Sequence, residues 1–259
     1  MPFSTLTKYC VLSVCVFLLA VSAQADPLPF APGEKLFYEV RWEQVPVARV
    51  SLEVGPVEEI RGEAAYHFVF RARTYPALDV LFPVDGHIGG YTDLGLTRSF
   101  RLEKDMREGW TRRAYRVDFD WDRGIADYIK RGQTSRSVAL PDGTLDMLSI
   151  LYYVRSLPLT AGMTVARPLN SGKKIHPAEA LVVRQETITV VGHAWPAFLI
   201  EPDVRKAGGI FKKSKAPRFL LWISADDRKL PLKVVSKVWV GSFIVELADA
   251  LADPVTAGS

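Results

Sequence analysis

The stretch Trp222–Leu247, WISADDRKLPLKVVSKVWVGSFIVEL, decides the fold. Leu220 and Trp222 before its polar centre, and Leu232 and Val234 after it, alternate with more polar neighbours. A repeat of two residues is the strand repeat, because successive side chains of an extended chain point to opposite faces. Asp226, Asp227 and Arg228 interrupt it with turn chemistry, since an Asp carboxylate accepts nearby backbone N–H groups. Pro231 fits the start of the returning strand, where a missing donor costs little. Val238 and Val240, then Phe243, Val245 and Leu247, carry the alternation past Gly241 with a change of phase, which predicts a bulge or tight bend there. The stretch therefore reads as a hairpin followed by a third strand.

Working back, more strands appear. After a proline-rich lead, Asp26 to Gly33, the segments Leu36 to Trp42 and Val47 to Val54 form a first hairpin, and Tyr66 to Arg73 a third strand. Ala77 to Val84 is apolar, but Pro76 before it and Pro83 inside it argue for a rim segment or short helix. Gly86, Gly89 and Gly90 loosen the chain before Thr97 to Lys104 resumes as strand. Trp110 to Trp121 places Tyr115, Val117, Phe119 and Trp121 on one face; Ile125 to Lys130 pairs back, and Ser135 to Leu140 follows. Met163 to Leu169, Ala180 to Gln185, Glu186 to Val191 and Trp195 to Glu201 complete the set. With neither a repeat nor a low-complexity linker, one continuous sheet is expected.

One stretch breaks the period. Asp146 to Arg155, DMLSILYYVR, is apolar on almost every side, and Asp146 can cap its first turn. Leu148, Leu151, Tyr152 and Arg155 share a helical face. So apolar a helix belongs inside the fold. The expected architecture is mainly β: a strongly curved antiparallel sheet, a half-barrel or open barrel, with one buried helix in its concave face.

The opening residues, MPFSTLTKYCVLSVCVFLLAVSAQAD, carry one positive charge at Lys8, an apolar run, and Ala23-Gln24-Ala25. That is the pattern of a secretory signal cut after Ala25, leaving 26–259 as a single β-rich domain and no membrane anchor. Both cysteines, Cys10 and Cys15, fall in the leader, so the exported chain would use no disulfide or thiolate chemistry. Removing Lys8 leaves 32 basic against 29 acidic residues, too mild a balance for nucleic-acid binding.

No catalytic constellation emerges. Asp118, Asp120 and Asp122 fail as a calcium loop because Arg123 stands where glycine is needed and Ile129 where an acid is needed. Ser171–Lys174, SGKK, has a Ser-x-x-Lys spacing, but on a turn rather than a helix. His67, His87, His176 and His193 are scattered. No metal or cofactor is expected. Arg205, Lys206, Lys212, Lys213 and Lys215 form an acid-free segment around Phe211, suited either to solvent or to an anionic lipid surface.

Gly33, Glu34, Leu36 and Tyr38, then Asp146, Leu148, Ser149, Tyr152, Tyr153, Arg155, Pro158 and Gly162, and finally Trp222, Ser224, Asp226 and Pro231, form an ordered set. By these the chain resembles a bacterial periplasmic family known only as domain of unknown function 3108, although Met147 stands where many relatives have proline. The pattern is also similar to the half-barrels of periplasmic lipoprotein carriers, whose concave face holds acyl chains. The resemblance implies a periplasmic, non-catalytic binding or envelope-assembly protein, placed at the periplasmic face of the outer membrane. A lipid or acyl ligand and an envelope protein partner would be its partners. Tyr66, Phe68, Phe70, Leu151, Tyr152 and Trp222 are the candidate ligand contacts, the alternative being that they simply fill the core. The competing expectation is an envelope hydrolase or sugar-modifying enzyme using paired carboxylates such as Asp226 and Asp79.

Overall fold

The computed structural model describes residues 27–204, 218–239 and 241–251; the stretch read as a secretory signal and the Arg205–Lys215 segment lie outside them. The chain runs β1 (Lys35–Trp42), β2 (Val45–Val54), β3 (Glu58–Ile60), β4 (Glu63–Thr74), a 3-10 turn (Pro76–Leu78), β5 (Val84–Asp93), β6 (Ser99–Glu108), β7 (Thr111–Asp120), β8 (Ile125–Lys130) and β9 (Gln133–Ala139). Then come β10 (Leu145–Asp146), helix α1 (Ser149–Ser156), β11 (Thr164–Asn170), β12 (Ile175–Val190), β13 (His193–Pro202), β14 (Arg218–Ser224), β15 (Pro231–Val238) and β16 (Gly241–Leu251). All strands join one sheet in the order β10 to β16, then β1, β2 and β4 to β9, with β3 beside β4. Every pair is antiparallel except β10 with β11. No helix among the described residues is long and apolar enough to cross a membrane.

The opening stretch folds as its alternation requires. β14 and β15 pair through the Asp226–Arg228 turn, and β16 follows a tight turn in which Gly241 takes φ +119°, the bend its phase change implies. Elsewhere three details differ from the sequence reading. The glycine-bearing segment is not loose: β5 runs straight through Gly86, Gly89 and Gly90. The two strands expected between Ala180 and Val191 are one strand, β12, irregular at Val182/Arg184. The short β3 had no alternation long enough to register.

The helix starts three residues later than predicted, because Asp146 is the end of a strand that caps from outside. Its Oδ1 accepts N–H bonds from Leu148 (2.8 Å) and Ser149 (3.0 Å), and its Oδ2 accepts the hydroxyls of Ser149 and Ser99 (both 2.6 Å). This buried carboxylate sits directly on β5. A Cβ at Gly90 would lie 2.6 Å from Asp146 Oδ1, so only glycine lets the helix start dock there.

At its other end α1 is held by an ion pair. Arg155 and Glu34 have side-chain exposures of 0% and 3%. Arg155 Nη1 and Nη2 donate to Glu34 Oε1 (2.6 Å) and Oε2 (2.8 Å). Nη2 also reaches the carbonyls of Pro29 (3.0 Å) and Arg228 (3.2 Å), and Nε donates to that of Lys229 (3.0 Å). Lys229 adopts φ +43°, uncommon outside glycine, and its Nζ donates to Leu157 O at the helix terminus. The amino-terminal lead, the helix and the β14–β15 turn thus converge on one guanidinium.

The edges approach each other around the helix. Ser99 N donates to Thr144 O (3.0 Å), and the β11–β12 turn reaches the far strands: Lys173 Nζ lies 5.2 Å from the Tyr128 ring centre. Between those strands no ladder forms among the described residues, so the sheet is a curved, open barrel.

Breaking one partner of a buried ion pair leaves the other uncompensated. Glu34→Gln is therefore expected to lower unfolding free energy by about 3–5 kcal/mol in urea titrations; a loss within the range of a surface substitution would show that the pair does not hold the helix. Asp146 gives a second prediction. Burial pushes its pKa above 3.8, against the opposing hydrogen bonds of Ser149, Ser99 and Leu148. A raised folded pKa contributes stability that is full below the unfolded value and lost as pH rises through the folded one. Asp146→Asn keeps the acceptor for the two backbone N–H groups and cannot titrate. Its stability should lack that decline, measured against wild type between about pH 3 and pH 7; parallel curves would contradict it.

Candidate functional site

The helix divides the concave face into a filled half and a half with apolar surface still accessible. In the filled half Phe68 stacks on Tyr152, ring centres 3.7 Å apart at 6°, and Phe30 from the lead meets both edge-on at 5.6 and 4.9 Å. Tyr66 joins them, 5.7 Å from Phe30. Of the six predicted ligand contacts, Tyr66, Phe68 and Tyr152 thus form one aromatic cluster, and Phe68 and Tyr152 are completely buried. The hydroxyls of Tyr38 and Tyr152 are buried without a hydrogen-bond partner among the described residues, and burial pushes both phenols above their usual pKa.

Phe70 and Leu151 stand half-buried at the margin of this cluster. Trp222 is likewise half-buried and packed against that core. Its neighbours Leu221 and Ile223 pack into the cluster that includes Val154 of α1, so Trp222 lies on the other face of its strand, where Nε1–H donates to Glu186 Oε1 (2.8 Å). That bond is the first cause of the lowered Glu186 pKa.

Beyond the cluster, toward the end of the sheet carrying the β1–β2, β4–β5 and β6–β7 turns, the inward row continues. The register runs Val245, Val40, Ala48 and Thr74 across four strands, and Tyr38, Val50 and Ala72 across three. Leu52, Phe70, Ile88, Lys104 and Tyr115 make the next row. Val40, Val50, Phe70, Val84, Tyr115 and Val245 are only half-buried. One wall carries charge: Lys104 and Arg113 both pair with Glu108, the latter at 2.7 Å. Two cations meet one carboxylate. Burial first, then the Tyr128 and Glu108 neighbours, push the Tyr115 phenol up to about 12.

The outer face differs in kind. A groove of about 870 Å³ crosses β1, β2 and β4 to β7, lined by Arg49, Arg71, Arg73, Arg107 and Arg112 with Asp85, Asp105 and His87. Arg112 grips Asp105 with two bonds (2.8 and 2.6 Å), which holds that carboxyl below its usual range. Arg73 pairs with Asp85 at 2.9 Å. Arg49 and Arg107 have no carboxylate partner among the described residues. This groove was not legible in the sequence, because its residues come from six strands and meet only through register.

The motifs set aside in the sequence remain structural. Asp118 pairs with Arg101 and Arg116, and Asp120 with Arg61 and Arg123. Asn170 closes the SGKK turn by accepting Gly172 N (2.8 Å). His67 stacks on Tyr91 and meets Glu58 (2.7 Å), away from the other histidines. No group of three or more His, Cys, Asp or Glu able to hold a metal occurs among the described residues. Asp79 lies in the β4–β5 connection, bonded to Thr74, and Asp226 in the β14–β15 turn, paired with Arg228. Those connections are at opposite ends of the strands, so the two carboxylates do not face a common cleft.

No curated protein matches the sequence. Among solved structures, a beta-barrel-like protein of domain of unknown function DUF1849 from Brucella abortus superposes with a TM-score of 0.52 at 10% identity, covering 84% of this chain and 96% of that one. A protein from Bacteroides fragilis, described as exported and of YmcC-like fold, aligns at 10% identity with a TM-score of 0.31, over 87% and 98%. The first likeness shows a shared barrel-like fold. The model of a family described as a protein of unknown function, DUF3108, matches residues 38–248, and the chain belongs to that family.

Proposed function

We propose that this member of the DUF3108 family is an exported, periplasmic, non-catalytic binding protein that holds an acyl chain against the inner face of its sheet. The supporting observation is the row of inward but half-buried apolar side chains beyond the helix: Val40, Val50, Phe70, Val84 and Val245. A core that closes on itself leaves such residues without water, as it does Phe68 and Leu102 here. An acyl chain laid along the row removes the remaining apolar surface from water, at about 25 cal/mol per Å². Lys104 and Arg113, sharing one carboxylate, suit an anionic head group. Phe68 and Tyr152 then form the floor of the site rather than its wall.

Protein purified from cells is expected to carry acyl lipid detectable by mass spectrometry, and after delipidation to bind a fluorescent fatty acid. Val50→Trp fills the row and should weaken that binding by about tenfold, with the melting temperature monitored as a folding control. Absence of both co-purifying lipid and probe binding would remove the carrier reading.

A further inference from the structure

The end of the sheet carrying the β1–β2, β4–β5, β6–β7 and β15–β16 turns has the least water-adapted surface. Among the described residues, all three exposed tryptophans lie on it: Trp42 at 46%, Trp110 at 76% and Trp239 at 61% exposure. So does a consecutive run, Val80, Leu81 and Phe82, at 80%, 74% and 57%. This run is not loose chain. Leu81 N and Phe82 N both donate to Leu78 O (2.9 and 3.1 Å), and Gly109 N donates to Pro83 O (2.8 Å), tying it to the β6–β7 turn. The Phe82 ring lies where a Cβ on residue 109 would stand, 2.5 Å away, so glycine there seats the ring. Folding holds three large apolar side chains out toward solvent and fixes their backbone.

Charge accompanies them. Arg107 lies 6.0 Å from the Trp110 ring centre, with Nε donating to Gly109 O (3.3 Å). Arg49 lies 5.4 Å from the Tyr75 ring centre, its Nε 3.3 Å from the Tyr75 hydroxyl. Their positive charges remain available at the two turns that carry the apolar tip.

We infer that this rim docks the protein on an anionic lipid surface, with Val80, Leu81, Phe82 and Trp110 entering the acyl boundary and Arg49 and Arg107 meeting lipid phosphates. Tryptophan suits that boundary because its ring is apolar and its N–H polar. Charge complementarity selects the anionic surface, since phosphates supply the partner these guanidiniums lack. A protruding tip, rather than a recess, fits a yielding lipid interface better than a preformed protein partner. The inference uses residues distinct from the interior row and does not depend on the row being occupied.

The test is co-sedimentation of the full chain with vesicles of phosphatidylglycerol and phosphatidylcholine in equal parts, and with phosphatidylcholine alone. The wild type should sediment with the anionic vesicles, with a blue-shifted tryptophan emission quenched by brominated acyl chains. L81D/F82D alters exposed side chains, so circular dichroism should match wild type, while vesicle affinity falls by roughly a hundredfold. R49Q/R107Q should lose roughly fivefold per arginine and flatten the salt dependence. Val50→Trp, which obstructs only the interior, should bind vesicles like wild type, separating failure of docking from failure of the ligand reading. The proposal is overturned if the wild type stays in the supernatant, or if L81D/F82D sediments as wild type does. It is equally overturned if the rim variants lose a protein partner while keeping vesicle affinity.

Discussion

Everything in this molecule leans on one fully buried guanidinium. Arg155 bonds both oxygens of Glu34 and three backbone carbonyls, from the amino-terminal lead and from the β14–β15 turn. A charge removed from water is tolerated only with a counter-charge and hydrogen bonds of this kind. The cost of leaving any donor open makes the arrangement all-or-none: lead, helix and turn are seated together or not at all. Asp146 does the same at the start of α1, with four acceptor bonds and no counter-charge. A helix of eight residues, too short to persist by itself, is thus fixed at both ends by polar contacts and along its length by the Phe68, Tyr152 and Phe30 rings.

With the helix fixed, the sheet has two working faces. Inward residues below the helix are sealed; those beyond it keep apolar surface half accessible. Outward residues include charge pairs between adjacent strands, directly opposite for Arg73 with Asp85 and diagonal for Arg112 with Asp105. The antiparallel register sets both at once, because an alternating strand that buries valine on one side displays arginine on the other. The half-buried row and the apolar rim are adjacent, so a ligand in the one would lie near the surface met by the other.

The sheet and the helix were readable because each has a local period. The Trp222–Leu247 stretch, the first hairpin and the Tyr115–Trp121 alternation all fold as their spacing dictates. What escaped was nonlocal. Gly89 and Gly90 read as loose chain because nothing near them announces that Asp146 will rest on their strand. The partner of Arg155 lies 121 residues away, and no pattern within a window links them. Around Trp222 alternation gives two faces without saying which is inward; only Leu221 and Ile223, packed with Val154 of α1, decide it. The apolar segment after Pro76 was correctly placed at the rim, yet its company with Trp110 required the pairing of β5 with β6.

The order of strands has a consequence for how the chain assembles. Read across the sheet, it is the sequence order rotated: the outermost strands β9 and β10 are consecutive in the chain, while the first and last strands lie side by side within the sheet, Lys35 against Leu251. The central seam therefore cannot be sewn until the final strand has emerged. Loop closure over such a separation is slow relative to the local hairpins, so the seam between β1 and β16 closes after the hairpins on either side of it.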